Sequence, residues 1–168
     1  MNTELLKYAG GLMLVICGAL SGQVMCKRLR QRAIMLEDYL RFLTQTQALI
    51  GYTAESAESI LENVRGLKLL TPMLDNARSL MKGGLSFRDA WCRSVRDYIS
   101  EKEERELICA FGETFGTGNI SGELSKLELH KESAVRMQRE LFEDIKIKKR
   151  LYRTMGTFCG VLAAVVLI

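Results

Sequence analysis

The chain is nearly without proline and histidine. It has one proline, Pro72, and one histidine, His130. With a single proline, long stretches are free to run as helix. No stretch alternates apolar and polar residues as a half-buried strand does. A lone histidine excludes any zinc centre that needs two or more. The five cysteines are Cys17, Cys26, Cys92, Cys109 and Cys159, with no CxxC pair and no Cys/His spacing among them. Neither a structural disulfide nor a zinc site is expected from that pattern, and unpaired thiols suit a reducing compartment. Gly112, Gly116 and Gly118 are wrongly spaced for a phosphate loop, and no Lys-Ser/Thr follows them. No cofactor and no metal is therefore expected.

Charge is missing from a long stretch near each end. Ala9 to Cys26 carries none, and Lys27, Arg28, Arg30 and Arg32 follow at once. Lys146, Lys148, Lys149, Arg150 and Arg153 precede Thr154 to Ile168, which is again uncharged. Those nine positive charges exceed the net charge of +4, so the rest of the chain sums to −5. The domain thus lacks the basic face of a nucleic-acid binder, and no nucleic-acid partner is expected. Basic residues beside a span stay on the cytoplasmic side. Both clusters point to one topology: a span over 5–26, a cytosolic helical domain over 27–153 with long stalk helices, and a second span over 154–168. Both termini then lie across the membrane.

The first span approaches the ~20 residues that cross a bilayer, with Lys7 snorkelling to the interface. The second is shorter and requires local thinning of the bilayer or a shallow seat. A cleavable signal peptide with Ala19-Leu20-Ser21 at its end is the alternative for the first segment. Its basic residues would precede the apolar run, whereas here they follow it. Cys17 as a lipidation site is disfavoured by the bulk of Ile16 before it.

Between the anchors, apolar residues recur at helical spacing. Ile34, Leu36, Tyr39, Leu40, Phe42, Leu43 and Ala48 predict a helix running to about Ile50, broken at Gly51. Thr53 is positioned to cap a second helix through about Val64, with Ala57, Ile60, Leu61 and Val64 inward. Thr71-Pro72 predicts a third, a capping hydroxyl followed by proline at the first helical position, ending at Gly83-Gly84. Ser86 to Asp89 reads as a capping box variant, opening a fourth helix with Ala90, Trp91, Val95 and Tyr98 inward. Ser100 and Glu103 repeat the pattern for a fifth, which carries Leu107, Ile108, Phe111 and Phe115. The last helix starts near Ser121, its seam formed by Leu124, Leu127, Ala134, Leu141 and Ile145. No glycine or proline interrupts Glu123 to Met155, so a rod of about 70 Å is expected. The first helix is its natural antiparallel neighbour.

Chemistry is scarce. Glu128 and Glu132 lie two residues either side of His130, on different helix faces, so His130 reads as a surface histidine. Cys109 has no base beside it in sequence and reads as core, as does Trp91. The run Glu101, Glu103, Glu104, Glu106 is a solvated helix face or, more sharply, a dock for a basic partner. Arg88, Glu101, Glu104 and Asn119, near the loop tips and the acidic run, are the candidate partner contacts. No residue is assigned a catalytic role.

The order of several phrases carries a resemblance. A terminal apolar segment and basic run lead to Leu49-Ile50-Gly51-Tyr52. There follow Gly84-Leu85-Ser86-Phe87-Arg88-Asp89-Ala90-Trp91 and Phe111-Gly112-Glu113-Thr114-Phe115-Gly116, then a charged helix entering a second apolar segment. The whole chain resembles the stage III sporulation protein AB family of endospore-forming bacteria. That family usually has an acidic residue and a glutamine after the glycine-rich turn, where this chain has Asn119 and Glu123. Gly122-Glu123-Leu124 is also similar to a stretch of type II secretion F-domain platform proteins.

The resemblance implies an all-α fold, a type II secretion F-like bundle of about six helices between two transmembrane segments. It implies a place in the mother cell–forespore transenvelope channel among other channel membrane proteins. It also implies a docked secretion-type ATPase, stage III sporulation protein AA. Two other functions compete: an F-type half-platform of a pilus or type II/IV-like secretion machine, and a small membrane enzyme using Cys109 or His130.

Overall fold

The computed structural model describes residues 27–51, 57–116 and 120–167. Six helices and no strand occur among them. They are α1 over 27–51, α2 Ala57–Asn63, α3 Thr71–Lys82, α4 Phe87–Tyr98, α5 Lys102–Thr114 and α6 Ile120–Leu167. The chain divides into two compact units, Ile34–Arg139 and the terminal stretches Met1–Ala33 with Glu140–Ile168. In the terminal unit Leu29, Ala33 and Leu141 are buried, while Phe142, Ile147, Leu151 and Met155 are exposed. Among the described residues no helix is long and apolar enough to cross a membrane. The expected first span falls on residues outside the description, and the stretch expected as the second continues α6 to Leu167.

The core of the Ile34–Arg139 unit draws on every helix. Tyr39, Phe42, Leu43 and Ile50 come from α1, Ile60 and Leu61 from α2, and Met73, Leu74 and Ala77 from α3. Trp91 and Val95 of α4 join Ile108 and Phe111 of α5 and Leu127 and Ala134 of α6. On α6, Leu127, Ala134 and Leu141 are buried with Leu124 and Ile145 half-buried, as the seam predicts. Ala48 of α1 is exposed instead of inward, and the buried positions between its apolar residues include Asp38 and Thr46.

One start and one stop in the middle of the chain form as the sequence predicts. Ser86 Oγ accepts the Asp89 N–H at 3.2 Å and donates to the Asp89 carboxylate at 2.7 Å, so the predicted cap of α4 forms. At the end of α3, Gly84 N–H donates to Met81 and Leu85 N–H to Leu80. This is a Schellman closure, and it requires the left-handed φ of +93° that Gly84 adopts.

The start of α3 differs from expectation. Thr71 is its first residue, and its hydroxyl donates back to the Leu67 carbonyl instead of capping. The capping role passes to a residue far away in sequence. The buried Asp38 carboxylate of α1 accepts the amides of Leu69 at 2.6 Å and Leu70 at 3.4 Å, an anion at a helix N-terminus. Helix α5 likewise lacks its predicted cap: Glu101, not Ser100, precedes it, with no side-chain bond to its first turn. Thr53 and its predicted cap of α2 lie outside the described residues.

Candidate functional site

The structure concentrates polar and reactive groups on the hairpin of α4 and α5. The two helices run antiparallel, with Phe87 beside Phe115 at one end (ring centroids 5.5 Å) and Cys92 beside Cys109 further along. Between these pairs Trp91 packs against α5. Its indole N–H donates to the Ile108 carbonyl at 2.7 Å, and its ring occupies the space where a Cβ on Gly112 would stand, 2.3 Å from Cδ1. Only glycine permits that approach. Two of the phrases that carry the family resemblance thus meet face to face: Trp91 from one, Gly112 from the other.

The sequence-predicted partner contacts are not brought together. Arg88 is exposed in the first turn of α4, and Glu101 is exposed just before α5. In an antiparallel pair these are opposite ends, about 18 Å apart along twelve residues of helix. Glu103 and Glu106 are exposed, but Glu104 is fully buried. Glu104 therefore leaves the acidic surface patch. The reason is register: Glu104, Ile108 and Phe111 follow at i, i+4, i+7, so the stripe that buries the apolar pair carries the carboxylate inside. Tyr98, expected inward on α4, is instead 52% exposed, and Ile99 takes the buried position. Asn119 lies outside the described residues.

The two residues of the enzyme alternative face different neighbours. His130 is half-buried on α6, edge-on to Phe111 at 5.8 Å and 3.3 Å from the Thr114 hydroxyl. Burial lowers its pKa from the usual histidine value. Cys109 instead lies with Cys92 and Glu113. One ligand atom of each of these three residues falls within 4.8 Å of the other two. Cys109 and Thr114, five residues apart, project about 140° from one another around α5, so no Cys–His pair is assembled there. Burial, then the Cys109 thiol, then the Glu113 carboxylate push the Cys92 thiol up to about 12, against a smaller opposing pull from Arg96. A thiol that holds its proton so firmly is a poor nucleophile at neutral pH. Spacing along the chain could not reveal this trio, because its two thiols sit on separate helices 17 residues apart.

A second missed residue is Glu123. It is 6% exposed and closes the junction of α5 with α6. One carboxylate oxygen accepts the Gly116 N–H at 3.1 Å, and the other pairs with Lys126 at 3.2 Å. Lys126 in turn donates to the Thr114 carbonyl at 3.0 Å, at the last turn of α5, where a cation is favoured. In this chain the glutamate at that position binds main chain, not solvent. Elsewhere, two open clefts of about 220 and 250 Å³ flank Arg78. Its guanidinium donates to the Leu61 carbonyl and pairs with Asp75 at 2.5 Å. The clefts hold no cluster of reactive groups.

Comparison with curated proteins and with solved structures returns no match. The family model described as stage III sporulation protein AB matches residues 7–168. That match takes in both apolar ends, the α4–α5 hairpin and the whole of α6, and the chain belongs to the stage III sporulation protein AB family.

Proposed function

We propose that this sporulation protein is a non-enzymatic membrane platform of the mother cell–forespore transenvelope channel, whose helical unit docks a cytosolic secretion-type ATPase. The observation that carries the reading is the bracketing of the chain. Two uncharged stretches, Ala9 to Cys26 and Thr154 to Ile168, each with a basic cluster on its inner side, enclose an all-helical unit in a family of sporulation proteins. Charge so placed anchors the ends and keeps the unit on the cytoplasmic face. The clusters add attraction to anionic lipid of about 1 kcal/mol per basic residue. Other channel membrane proteins then meet the anchors, while stage III sporulation protein AA, the family's ATPase, meets the helical unit. The burial that raises the Cys92 thiol's pKa and the separate placement of His130 support a role without catalysis.

For the dock, the exposed Glu101, Glu103 and Glu106 at the start of α5 are the acidic group best placed to meet a basic partner. Such surfaces set encounter rate and specificity, and like charges facing one another cost several kcal/mol. Changing all three to lysine in the full chain is expected to cut ATPase recovered from solubilised membranes at least about tenfold. Undiminished recovery by a folded variant eliminates the patch, and no recovery by the parent chain eliminates the docking role.

A further inference from the structure

The three side chains that meet where α4 crosses α5 suit a metal ion better than solvent. We propose that Cys92, Cys109 and Glu113 form a binding site for Zn²⁺, closed by one water. This goes beyond the platform reading and does not depend on it.

Cys109 and Glu113 stand one turn apart on the same face of α5, and Cys92 reaches them from the antiparallel helix. The three donor atoms already lie within 4.8 Å of one another. In a tetrahedral zinc site, with Zn–S near 2.3 Å and Zn–O near 2.0–2.2 Å, donors sit about 3.5–3.8 Å apart. The gap to close is therefore about 1 Å at most. Glu113 is exposed, so its side chain can swing in without moving either helix. Cys92 is 9% exposed and Cys109 is half-buried. The thiols thus form the inner wall, and solvent reaches the site from the Glu113 side, where a water completes the coordination.

The donor set selects the ion. Two thiolates favour Zn²⁺ and other soft ions over Mg²⁺ or Ca²⁺, which prefer all-oxygen shells. Binding releases both thiol protons to solvent. Two thiolates and a carboxylate around Zn²⁺ leave one net negative charge, and Arg96, four residues after Cys92 on α4, already acts electrostatically on that thiol. Its ligands come from both helices, so the ion is a staple between α4 and α5. Among the described residues these are the only metal-ligand groups that gather.

The test uses the full chain in detergent with a phosphine reductant, its Cys17, Cys26 and Cys159 replaced by serine so that only these thiols remain. Titration with Co²⁺ is expected to raise a sulfur-to-cobalt charge-transfer band that saturates at one ion per chain and is bleached by Zn²⁺. Cys92→Ser and Cys109→Ser should each abolish it. Glu113→Gln should keep the band but weaken binding at least 10–100-fold, about what the loss of even an outer-shell partner costs. Far-ultraviolet circular dichroism checks that each variant folds. If the buried Cys92→Ser does not, the half-buried Cys109→Ser carries the test. Absence of a band in the parent overturns the site. A band of unchanged strength in folded Cys109→Ser, or a Cys92–Cys109 disulfide that persists in reductant, does so as well.

Discussion

In the α4–α5 hairpin, two helices touch through rings and a missing Cβ. The Trp91 indole adds one bond to a carbonyl there; where α1 meets residues 64–70, contact is made chiefly by side chains that reach main-chain groups. Trp91 lies 5.1 Å from the Phe111 ring and 5.2 Å from Phe42, and Gly112 leaves room for it. Asp38, by contrast, holds two amides, and Gln45 both donates to the Arg65 carbonyl and accepts its N–H at 3.0 Å. The difference follows from the backbone. A helix already pairs its own N–H and C=O groups, so two packed helices need only complementary shape. Residues 64–70 are not helical, yet Val64, Leu67 and Leu70 are buried. Their main-chain groups need partners from elsewhere, and α1 supplies them at Arg65, Leu69 and Leu70.

The comparison can be broken at either end. The largest effect is expected from Trp91→Ala, which empties the centre of the aromatic cluster and costs about 3–5 kcal/mol. Gly112→Ala alone should cost about 1–3 kcal/mol, because its Cβ strikes the indole. In the Trp91→Ala background that penalty should vanish and leave only the helix-favouring gain of alanine. Urea unfolding followed by circular dichroism measures both; additive costs would mean that the close approach is not what requires glycine.

Next in size is Asp38→Ala. It leaves the Leu69 and Leu70 amides without their acceptor and should cost about 1–3 kcal/mol. Its effect should show as faster hydrogen exchange at those two amides, with the hairpin amides unchanged. Equal loss of protection in both places would merge the two regions into one cooperative unit.

The smallest effect sharpens the hairpin side. His130 is held neutral by burial against Phe111 and Thr114, so its folded pKa lies below the unfolded value of about 6.5. The unfolded chain then takes up a proton first. Its contribution to stability is full above about pH 6.5, declines as pH falls below that value and is lost once pH has passed through the lower folded pKa. His130→Gln should flatten the acid side of the urea midpoint against pH. An unchanged slope would transfer the acid sensitivity to other groups.

Periodicity made the helical skeleton legible: the α6 seam, the Ser86 cap and the Gly83-Gly84 stop all stand where apolar spacing and turn chemistry put them. Composition misled where register decides. Glu104 belongs to an acidic run by sequence and to an apolar stripe by rotation, and counting from Ile108 would have found it. Tyr98 and Ala48 face outward for the same reason. Pairings across helices left no local signal: Asp38 with Leu69 and Leu70, Cys92 with Cys109, Trp91 with Gly112. Each joins residues 17 to 32 positions apart, and only the packed hairpin or junction brings them together. The separation of Arg88 from Glu101 was hidden likewise, since both sit at helix starts and only the antiparallel course makes those starts opposite ends.

Trp91 is the chain's single tryptophan, and it lies at the α4–α5 contact beside Cys92. The protein therefore carries a built-in optical gauge for that one interface. Any opening of the hairpin wets the indole and shifts its emission to the red. A paramagnetic ion held by the neighbouring thiols would quench the same fluorophore. Partner binding, acid and metal can then be followed on the unlabelled molecule by one emission spectrum that reports on the packing around this indole.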